Sequence, residues 1–512
     1  MRIDLADGTL FGNDAGEDEI PNVLASYFVD QPGFSSFFDR NSRLRIARSR
    51  KGMGKSAMLS KLAFDLARDE DSPLIIRATG ASLLGIATPV DYNPLNLQNY
   101  WTKVLCARVN YEIGKTIGFA FSDSAMALVE SAEVAGFKEK NIVGALLSRI
   151  KSSKIPIETR VENYSNHEEL LKRAMSSESD RKVWLLVDDI DATYIDSAEQ
   201  QAFVSSFFSA CRSIVRDVDN LFVRVTVRTD VWTNFRKNED LDKSEQYITD
   251  IDWSASELER VLSKKIFAFL QRNFSEDLHR AHLDYERDSE RLLEFAFMRR
   301  VQWGKAKVKP FRPIQILSSG RPRWMSQLCR LAGQEAVKNK KPVIGIQEIN
   351  SVLKKYTRYR LDDIYKEHSH QFSDLQKLIE TFSNNPARYT TQQLLETIIN
   401  KYANSIGSSN VPPIDGYPYQ KPMQLAHFLF KIGFIAARRE HKGHAEFAEF
   451  VRHEERPELL TDVRNPDDGL GWEIYPSYRD ALNILSASRA AKSENANGSR
   501  GQYRRRLSVP RK

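Results

Sequence analysis

The stretch 47-ARSRKGMGKSAML-59 decides the fold. It reads as a phosphate-binding loop of the form G-x-x-x-x-G-K-[ST], which belongs between a strand and a helix. Gly54, Lys55 and Ser56 fill the last three positions, Ser49 stands where the first glycine belongs, and Gly52 is an additional glycine inside the loop. Main-chain N–H groups must turn inward around an anion, so glycines are needed where φ is positive or where phosphate oxygens come close. Gly52 and Gly54 can supply that freedom. Ser49 lies at the strand exit, where a small residue suffices if φ stays negative. Lys55 is placed to reach phosphate oxygens, and the Ser56 hydroxyl to meet Mg²⁺.

The flanks agree. RLRIA (43–47) predicts a short strand, and Leu59, Leu62, Ala63 and Leu66 recur on one helical face. Such a helix aims its first N–H groups at a phosphate. Arg43, Arg45, Arg48, Arg50, Lys51 and Lys55 add positive charge with no acid among them. The candidate nucleotide-binding residues are Ser49, Arg50, Lys51, Gly52, Met53, Gly54, Lys55, Ser56 and Ala57. The bland alternative is a glycine-containing turn in a basic surface segment.

A phosphate-loop enzyme also needs a carboxylate near Mg²⁺ at the end of a neighbouring buried strand. VWLLVDDID (183–191) has five apolar residues in a row, as expected of a strand covered on both faces. Its acids begin where the strand leaves the sheet, the edge at which open α/β folds bind ligands. Asp188 is the expected metal carboxylate, Asp189 the base or water-orienting group, and Asp191 its reserve. A solvated acidic turn is the alternative for this segment taken alone. ATP and Mg²⁺ are the expected cofactors.

Composition bounds the rest. The chain has 512 residues, enough for two to four domains, and 41% of them are hydrophobic. Cys106, Cys211 and Cys329 are far apart and odd in number, so neither a metal frame nor a disulfide framework is expected, and a reducing, cytoplasmic setting is. No long apolar run predicts a membrane span. The acidic start, MRIDLADGTLFGNDAGEDE, does not read as a signal peptide. The net charge is +7, but residues 499–512 carry six positive charges and no acid, so residues 1–498 are near neutral at +1.

Along the chain, PNVLASYFVD predicts a helix, LIIRA (74–78) a second strand, and LQNYWTKVLCARVNYEI a helix opening a long connection. QQAFVSSFFSACRSIV predicts another helix and LFVRVTV (221–227) another apolar strand, so a doubly wound parallel sheet is expected. Arg228 follows that strand on the ligand edge; it is either a γ-phosphate sensor or a solvated strand end. SASELERVLSKKIFAFLQRNF and residues 289–303 predict helices. GRPRWMSQLCRLAGQEA (320–336) predicts another, with Pro322 in its first turn. Arg321 and Arg323 cluster where the helix dipole disfavours cations. A nearby phosphate would offset that, and a basic surface turn is the alternative.

In their order, RKGMGKS, VWLLVDDID, TVRTD, ELERVLSKKI and GRPRWMSQLC resemble the ORC- and STAND-related branch of AAA+-type P-loop ATPases. The likeness is to a bacterial group often encoded with mobile-element or antiphage defence genes, whose members open with a phrase like FGNDAGEDE. It covers about residues 10–340 and departs at Ser49. It implies Lys55 and Ser56 for phosphate and metal, Asp188 and Asp189 for metal and water, Arg228 near sensor 1 and Arg323 near sensor 2. It also implies self-association, for which Arg212 and Arg216 are candidate arginines reaching a neighbour's phosphate.

Farther on, FSDLQKLIETF, TTQQLLETIINKY and MQLAHFLFKIGFIAAR predict three helices, with EFAEFV and GWEIYPSY forming a two-stranded ribbon, the winged-helix pattern. His441, His444 and His453 lack a metal-ligand frame and read as solvated wing residues. The expected organisation is an N-terminal segment (1–42), a P-loop NTPase core (43–250) with a helical insertion around 83–170, a helical lid (251–365), a winged-helix-like α+β domain (366–485) and a disordered basic tail (486–512). The function expected is Mg²⁺-dependent ATP binding and hydrolysis, used as a switch for assembly or partner control in bacterial defence. The partner is a second copy or an effector protein, with no membrane contact. The alternative is a non-catalytic nucleotide-binding module contacting DNA or protein through its winged helix and basic tail.

Overall fold

The computed structural model describes residues 3–84, 92–117, 168–169, 171–172, 175, 182–192, 194, 197–235, 242–304, 306–439, 449–461 and 464–485. The chain forms two compact units. The first comprises residues 8–293 and 321–326, and the second residues 2–7, 294–320 and 327–512. The expected tail (486–512), most of the expected insertion, and His441 and His444 lie outside the described residues.

The first unit is built on a parallel sheet of β1 (Leu44–Ser49), β2 (Leu74–Thr79), β3 (Val183–Asp188), β4 (Leu221–Arg228) and β5 (Ile248–Asp250), in the order β2-β3-β4-β1-β5. All four pairings are parallel. The alternation of side chains along each strand feeds two cores. Val183, Leu185 and Val187 face one core, with helices Pro94–Ile117 and Ala198–Asp217. Trp184 and Leu186 face the other, with helix Lys55–Leu66 and the aromatics of residues 28–37. Helices therefore cover both faces, and the unit is an α/β P-loop NTPase core. Three differences from expectation follow from pairing. The acidic strand β3 is not the neighbour of β1, because β4 lies between them. At about 4.8 Å per strand, this sets β1 and β3 roughly 10 Å apart. The three-residue β5 is too short to announce itself by periodicity. Residues 289–303 are helical only over Ser289–Glu294, after which β6 (Val301–Trp303) pairs antiparallel with β7 (Ala306–Val308).

The predicted cationic cluster also divides. Arg43 donates to the Val218 carbonyl, Arg45 to the Gln246 carbonyl at 3.1 Å, and Arg48 to both oxygens of Asp250 at 2.7 and 2.8 Å. All three are spent on segments beside β1: Arg43 at the end of helix Ala198–Asp217, Arg45 just before β5 and Arg48 on β5 itself.

In the second unit, helix Ile346–His368 precedes helices Leu375–Glu380, Thr391–Ile398 and Pro422–Lys431. They pack with an antiparallel sheet of β8 (Arg388–Tyr389), β9 (Ile435–Arg439), β10 (Glu449–Val451) and β11 (Gly471–Ile474), in the order β10-β9-β11-β8. The fold is winged-helix-like, with four strands rather than the two-stranded ribbon expected. The segment MQLAHFLFKIGFIAAR is not one helix. It breaks at Gly433, whose φ of +72° a helix does not accept, and continues as β9. Glu473 on β11 is buried and accepts from Arg438 and Arg479, both at 2.5 Å. His453 is packed rather than solvated, 5.2 Å from the His427 ring and 5.5 Å from Phe430. Burial and the neighbouring His427 push its pKa down to about 4.

Candidate functional site

β1 ends at Ser49, which is buried and aligned with Arg228 at the end of β4. The loop then turns with Gly52 at φ +79° and Gly54 at φ +107°, while Ser49 keeps a φ outside the left-handed region. The two glycines thus sit at the two turns that a side chain resists, and the position of the missing first glycine makes no such demand. Lys55 opens helix Lys55–Leu66, the element predicted from Leu59, Leu62, Ala63 and Leu66, all four of which are buried.

A cavity of about 270 Å³ opens at this edge of the sheet. Its walls include Lys51, Gly52, Met53, Gly54, Lys55, Ser56 and Ala57 from the loop, Asp189 and Asp191 from the acidic turn, Arg228 from β4, and Arg323. Eleven of the sequence-predicted residues are therefore brought together. Ser49, Arg50 and Asp188 do not line the cavity.

Lys55 is 7% exposed, and its Nζ donates to the carbonyls of Ser49 (3.2 Å) and Arg50 (3.4 Å). Burial lowers its pKa, opposed by the charges of Asp191, Asp189 and Asp188. Three carboxylates thus act on the lysine, with the Arg228 charge opposing them. Asp188 accepts through Oδ1 from the Thr226 hydroxyl of β4 and from the Asp189 N–H at 3.0 Å. Thr226 is buried in the strand between β1 and β3, so the intervening strand positions the acid.

Asp189 sits at φ +51°, a left-handed conformation that aspartate tolerates better than most residues. Partial withdrawal from water, and then the Asp188 charge, raise its pKa, while Lys55 lowers it. The Asp189 main chain is fixed from below by Gly80, where a Cβ would lie 2.6 Å from the Asp189 carbonyl oxygen. Asp191 is 1% exposed. Its Oδ2 accepts from the Arg228 N–H at 2.6 Å, and its Oδ1 is buried with no hydrogen-bond partner. Burial pushes its pKa up to about 6, against the attraction of Arg228 and Lys55. The Arg228 guanidinium pairs with Asp230, through Nε at 3.1 Å. It is an ion-paired strand end at the cavity wall, neither solvated nor free.

Arg323 is held against the loop by its main chain. Its N–H donates to the Gly52 carbonyl at 3.3 Å, and a Cβ on Gly52 would lie 3.5 Å from the Arg323 Cβ. Arg212 and Arg216 lie on helix Ala198–Asp217, where Arg216 pairs with the adjacent Asp217 at 2.9 Å.

Several cavity residues escaped the sequence reading: Asn13 to Glu17, Tyr27, Trp253 and Lys265. Trp253 donates from Nε1 to the Met53 carbonyl at 2.8 Å and so anchors the loop. Lys265 donates to the Phe11 carbonyl (2.8 Å) and the Ser326 hydroxyl (2.7 Å), with its Nζ 4.7 Å from the Tyr27 ring centre. Glu19 accepts from the Asn13 N–H (2.8 Å) and the Tyr27 hydroxyl (2.9 Å). The legible signal was Gly16. A Cβ there would stand 2.7 Å from the Ala57 Cβ, so glycine lets the N-terminal segment lie on the first turn of the loop helix.

The donor set suits a nucleotide phosphate with Mg²⁺. Mg²⁺ takes one or two carboxylates together with substrate phosphates and water rather than a cage of protein ligands. Ser56 on the first helical turn and the acids after β3 are that kind of set. Among the described residues no cluster of three or more His, Cys, Asp or Glu forms a cage, and no helix is long and apolar enough to cross a membrane.

No protein-family model matches the chain, and no curated protein matches it. Among solved structures, it is similar to the Walker-type ATPase PABY2304 of Pyrococcus abyssi, at 14% identity over 93% of this chain and 100% of that one, with a TM-score of 0.38. It is also similar to the Aeropyrum pernix ORC2 protein solved as ADPNP–ADP complexes, at 10% identity, 94% of each chain and a TM-score of 0.37. The Aeropyrum pernix ORC1 protein in complex with DNA matches at 10% identity, 84% of this chain and 87% of that one, with a TM-score of 0.34. At such identities and scores these are likenesses of outline, and the chemistry of the site rests on its own residues.

Proposed function

We propose that the chain is a Mg²⁺-dependent ATPase whose nucleotide state controls assembly or a protein partner, in the setting of bacterial defence that its motifs resemble. The observation that carries this reading is the convergence of Gly52, Gly54, Lys55, Ser56, Asp189 and Asp191 on one cavity. In the proposed division of labour, loop N–H groups and Lys55 bind phosphate oxygens, and Ser56 and Asp188 hold the metal, Asp188 through water. Mg²⁺, when bound, neutralises charge on the phosphates. Asp189 orients the attacking water and accepts its proton, a role suited to a carboxylate whose pKa burial and the Asp188 charge raise. Asp191 holds the acidic turn to β4 through the Arg228 N–H. Arg228 and Arg323 sense the γ-phosphate from two sides. The domain organisation proposed is a core over 43–250, a lid over 251–365 and a winged-helix-like domain over 366–485.

One observation favours protein over DNA as the partner of the winged domain. None of the ten residues of helix Pro422–Lys431 is exposed, and its single lysine is paired with Asp415 at 2.7 Å. A helix that reads a major groove needs exposed donors and cations. The test is steady-state hydrolysis with and without Mg²⁺ and DNA, beside light scattering with a non-hydrolysable ATP analogue. Mg²⁺-dependent turnover with nucleotide-dependent assembly is expected. Nucleotide binding without turnover would establish the non-catalytic alternative.

A further inference from the structure

Arg228 ends β4 beside Ser49, its register partner at the end of β1, one strand spacing of about 4.8 Å away. The Ser49 carbonyl accepts from Lys55, so both cations stand at the same edge of the sheet. Side chains two apart on a strand share a face. Arg228 therefore shares one with Thr226, which donates to Asp188, and with Phe222, which packs in the core under helix Lys55–Leu66. This is the face that the loop helix covers, and Arg228 lines the cavity there. Its charge acts on Lys55 and on Asp191.

The guanidinium is already engaged. Nε donates to Oδ1 of Asp230 at 3.1 Å and Nη2 donates to Oδ2, so the pair is bidentate. Phosphate oxygens match the same edge of the fork. Asp230 stands apart from the acids that follow β3. It lies in the first turn of helix Thr229–Phe235, and it has no part in metal binding or proton transfer. Its side chain is 25% exposed, against 11% for Arg228. A released Asp230 carboxylate can therefore turn to water, while Arg228 stays at the cavity wall. Asp230 also adds a negative charge, felt by Asp191, beside a site that would hold an anion.

We infer that Asp230 competes with the γ-phosphate of ATP for Arg228. The carboxylate holds the guanidinium while the terminal phosphate is absent and yields it when ATP binds. ADP has no γ-phosphate and leaves the pair closed. Asp230 thus holds down the preference of the chain for ATP over ADP. This rests on the ATPase reading, in which Arg228 senses the γ-phosphate. An Asp230 that only oriented Arg228 toward the phosphate would act with the opposite sign, because its loss would weaken ATP.

The test is calorimetry on the full chain with a non-hydrolysable ATP analogue and with ADP, each with Mg²⁺. Asp230→Asn, nearly isosteric, is expected to bind the analogue about tenfold more tightly, the order of one charge-assisted contact regained, and ADP within about twofold of wild type. In Arg228→Gln the analogue weakens about tenfold, and adding Asp230→Asn to that variant changes nothing further. Should Asp230→Asn fail to fold, Asp230→Ala removes the same carboxylate and carries the same expectation. Weaker binding of the analogue by the Asp230 variant would overturn the inference in favour of an orienting role. An equal gain for analogue and ADP, or the same gain with Arg228 already replaced, would reduce Asp230 to general repulsion and also overturn it. Nucleotide binding that Asp230 does not affect would remove this inference alone, whereas no nucleotide binding by any form would remove the ATPase reading with it.

Discussion

Asp191 accepts a 2.6 Å hydrogen bond from the main-chain N–H of Arg228, while its second carboxylate oxygen is buried without a partner. One side chain thus ties the acidic turn after β3 to the exit of β4, and carries a charge that burial disfavours. Its pKa rises to about 6 in the folded chain, above its ordinary value of 3.8. A raised carboxyl pKa means that the folded state binds the proton more tightly. The contribution of Asp191 to stability is therefore full at low pH and lost as pH rises from about 4 to about 6.

Asp191→Asn is expected to keep an acceptor for the Arg228 N–H and remove the penalty. Relative to wild type it gains up to about 2–3 kcal/mol above pH 6, the equivalent of a two-unit shift, and gains little near pH 4. Urea melts of both proteins at several pH values measure it. A stability difference independent of pH would refute the assignment of the shift to this group.

Lys55→Ala is expected to weaken ATP binding tenfold or more, since one charge-assisted phosphate contact is worth about 1.5–3 kcal/mol. The variant also strands three carboxylates that the lysine now offsets, which further opposes an anionic ligand. Calorimetry decides; equal affinities would remove Lys55 from the phosphate site.

For Asp189→Asn, the expected outcome is retained nucleotide binding with turnover reduced about 10²–10⁴-fold, the range of a positioned general base. The near-isosteric amide keeps the left-handed turn at φ +51° but has lost the basic oxygen. Unchanged steady-state hydrolysis would shift the role to another acid.

Gly80→Ala probes the same turn from beneath. The added methyl would stand 2.6 Å from the Asp189 carbonyl oxygen and 2.8 Å from the Ile190 Cα. Main chain cannot swing aside as a side chain does, so a loss of about 1–3 kcal/mol is expected, with turnover falling more than nucleotide affinity. Melting and kinetics together check this, and an unperturbed variant would mean that the turn is free to move.

Ser49→Gly restores the residue that the loop pattern calls for. Because Ser49 lies outside the left-handed region, the glycine has no strain to relieve there. Nucleotide affinity is expected to stay within about twofold and stability to fall by about 0.5–1 kcal/mol, the entropic cost of glycine at a strand end. A large gain in affinity would show that the serine does impair the loop.

The sequence by itself determined the elements whose signals are local. The two glycines of the loop, the apolar run of VWLLV and the 3.6-residue repeat after Lys55 each fix φ, burial or periodicity within a dozen residues, and the first unit contains each of them. Gly433 was equally local, yet the apolar residues on either side hid the break between helix and strand. What only the tertiary structure decided depends on which strands become neighbours. The insertion of β4 between β1 and β3 brings Thr226 to Asp188 across 38 positions of sequence. The same packing lays Asn13–Glu17, Trp253 and Lys265 around the loop from segments with no spacing in common. It also spends Arg43, Arg45 and Arg48 on segments beside β1 and leaves Lys55 and Arg228 as the cations nearest Asp191. Charge along a chain adds up in sequence, but a pleated strand sends alternate side chains to opposite faces, and only the packed sheet determines which of them meet the ligand.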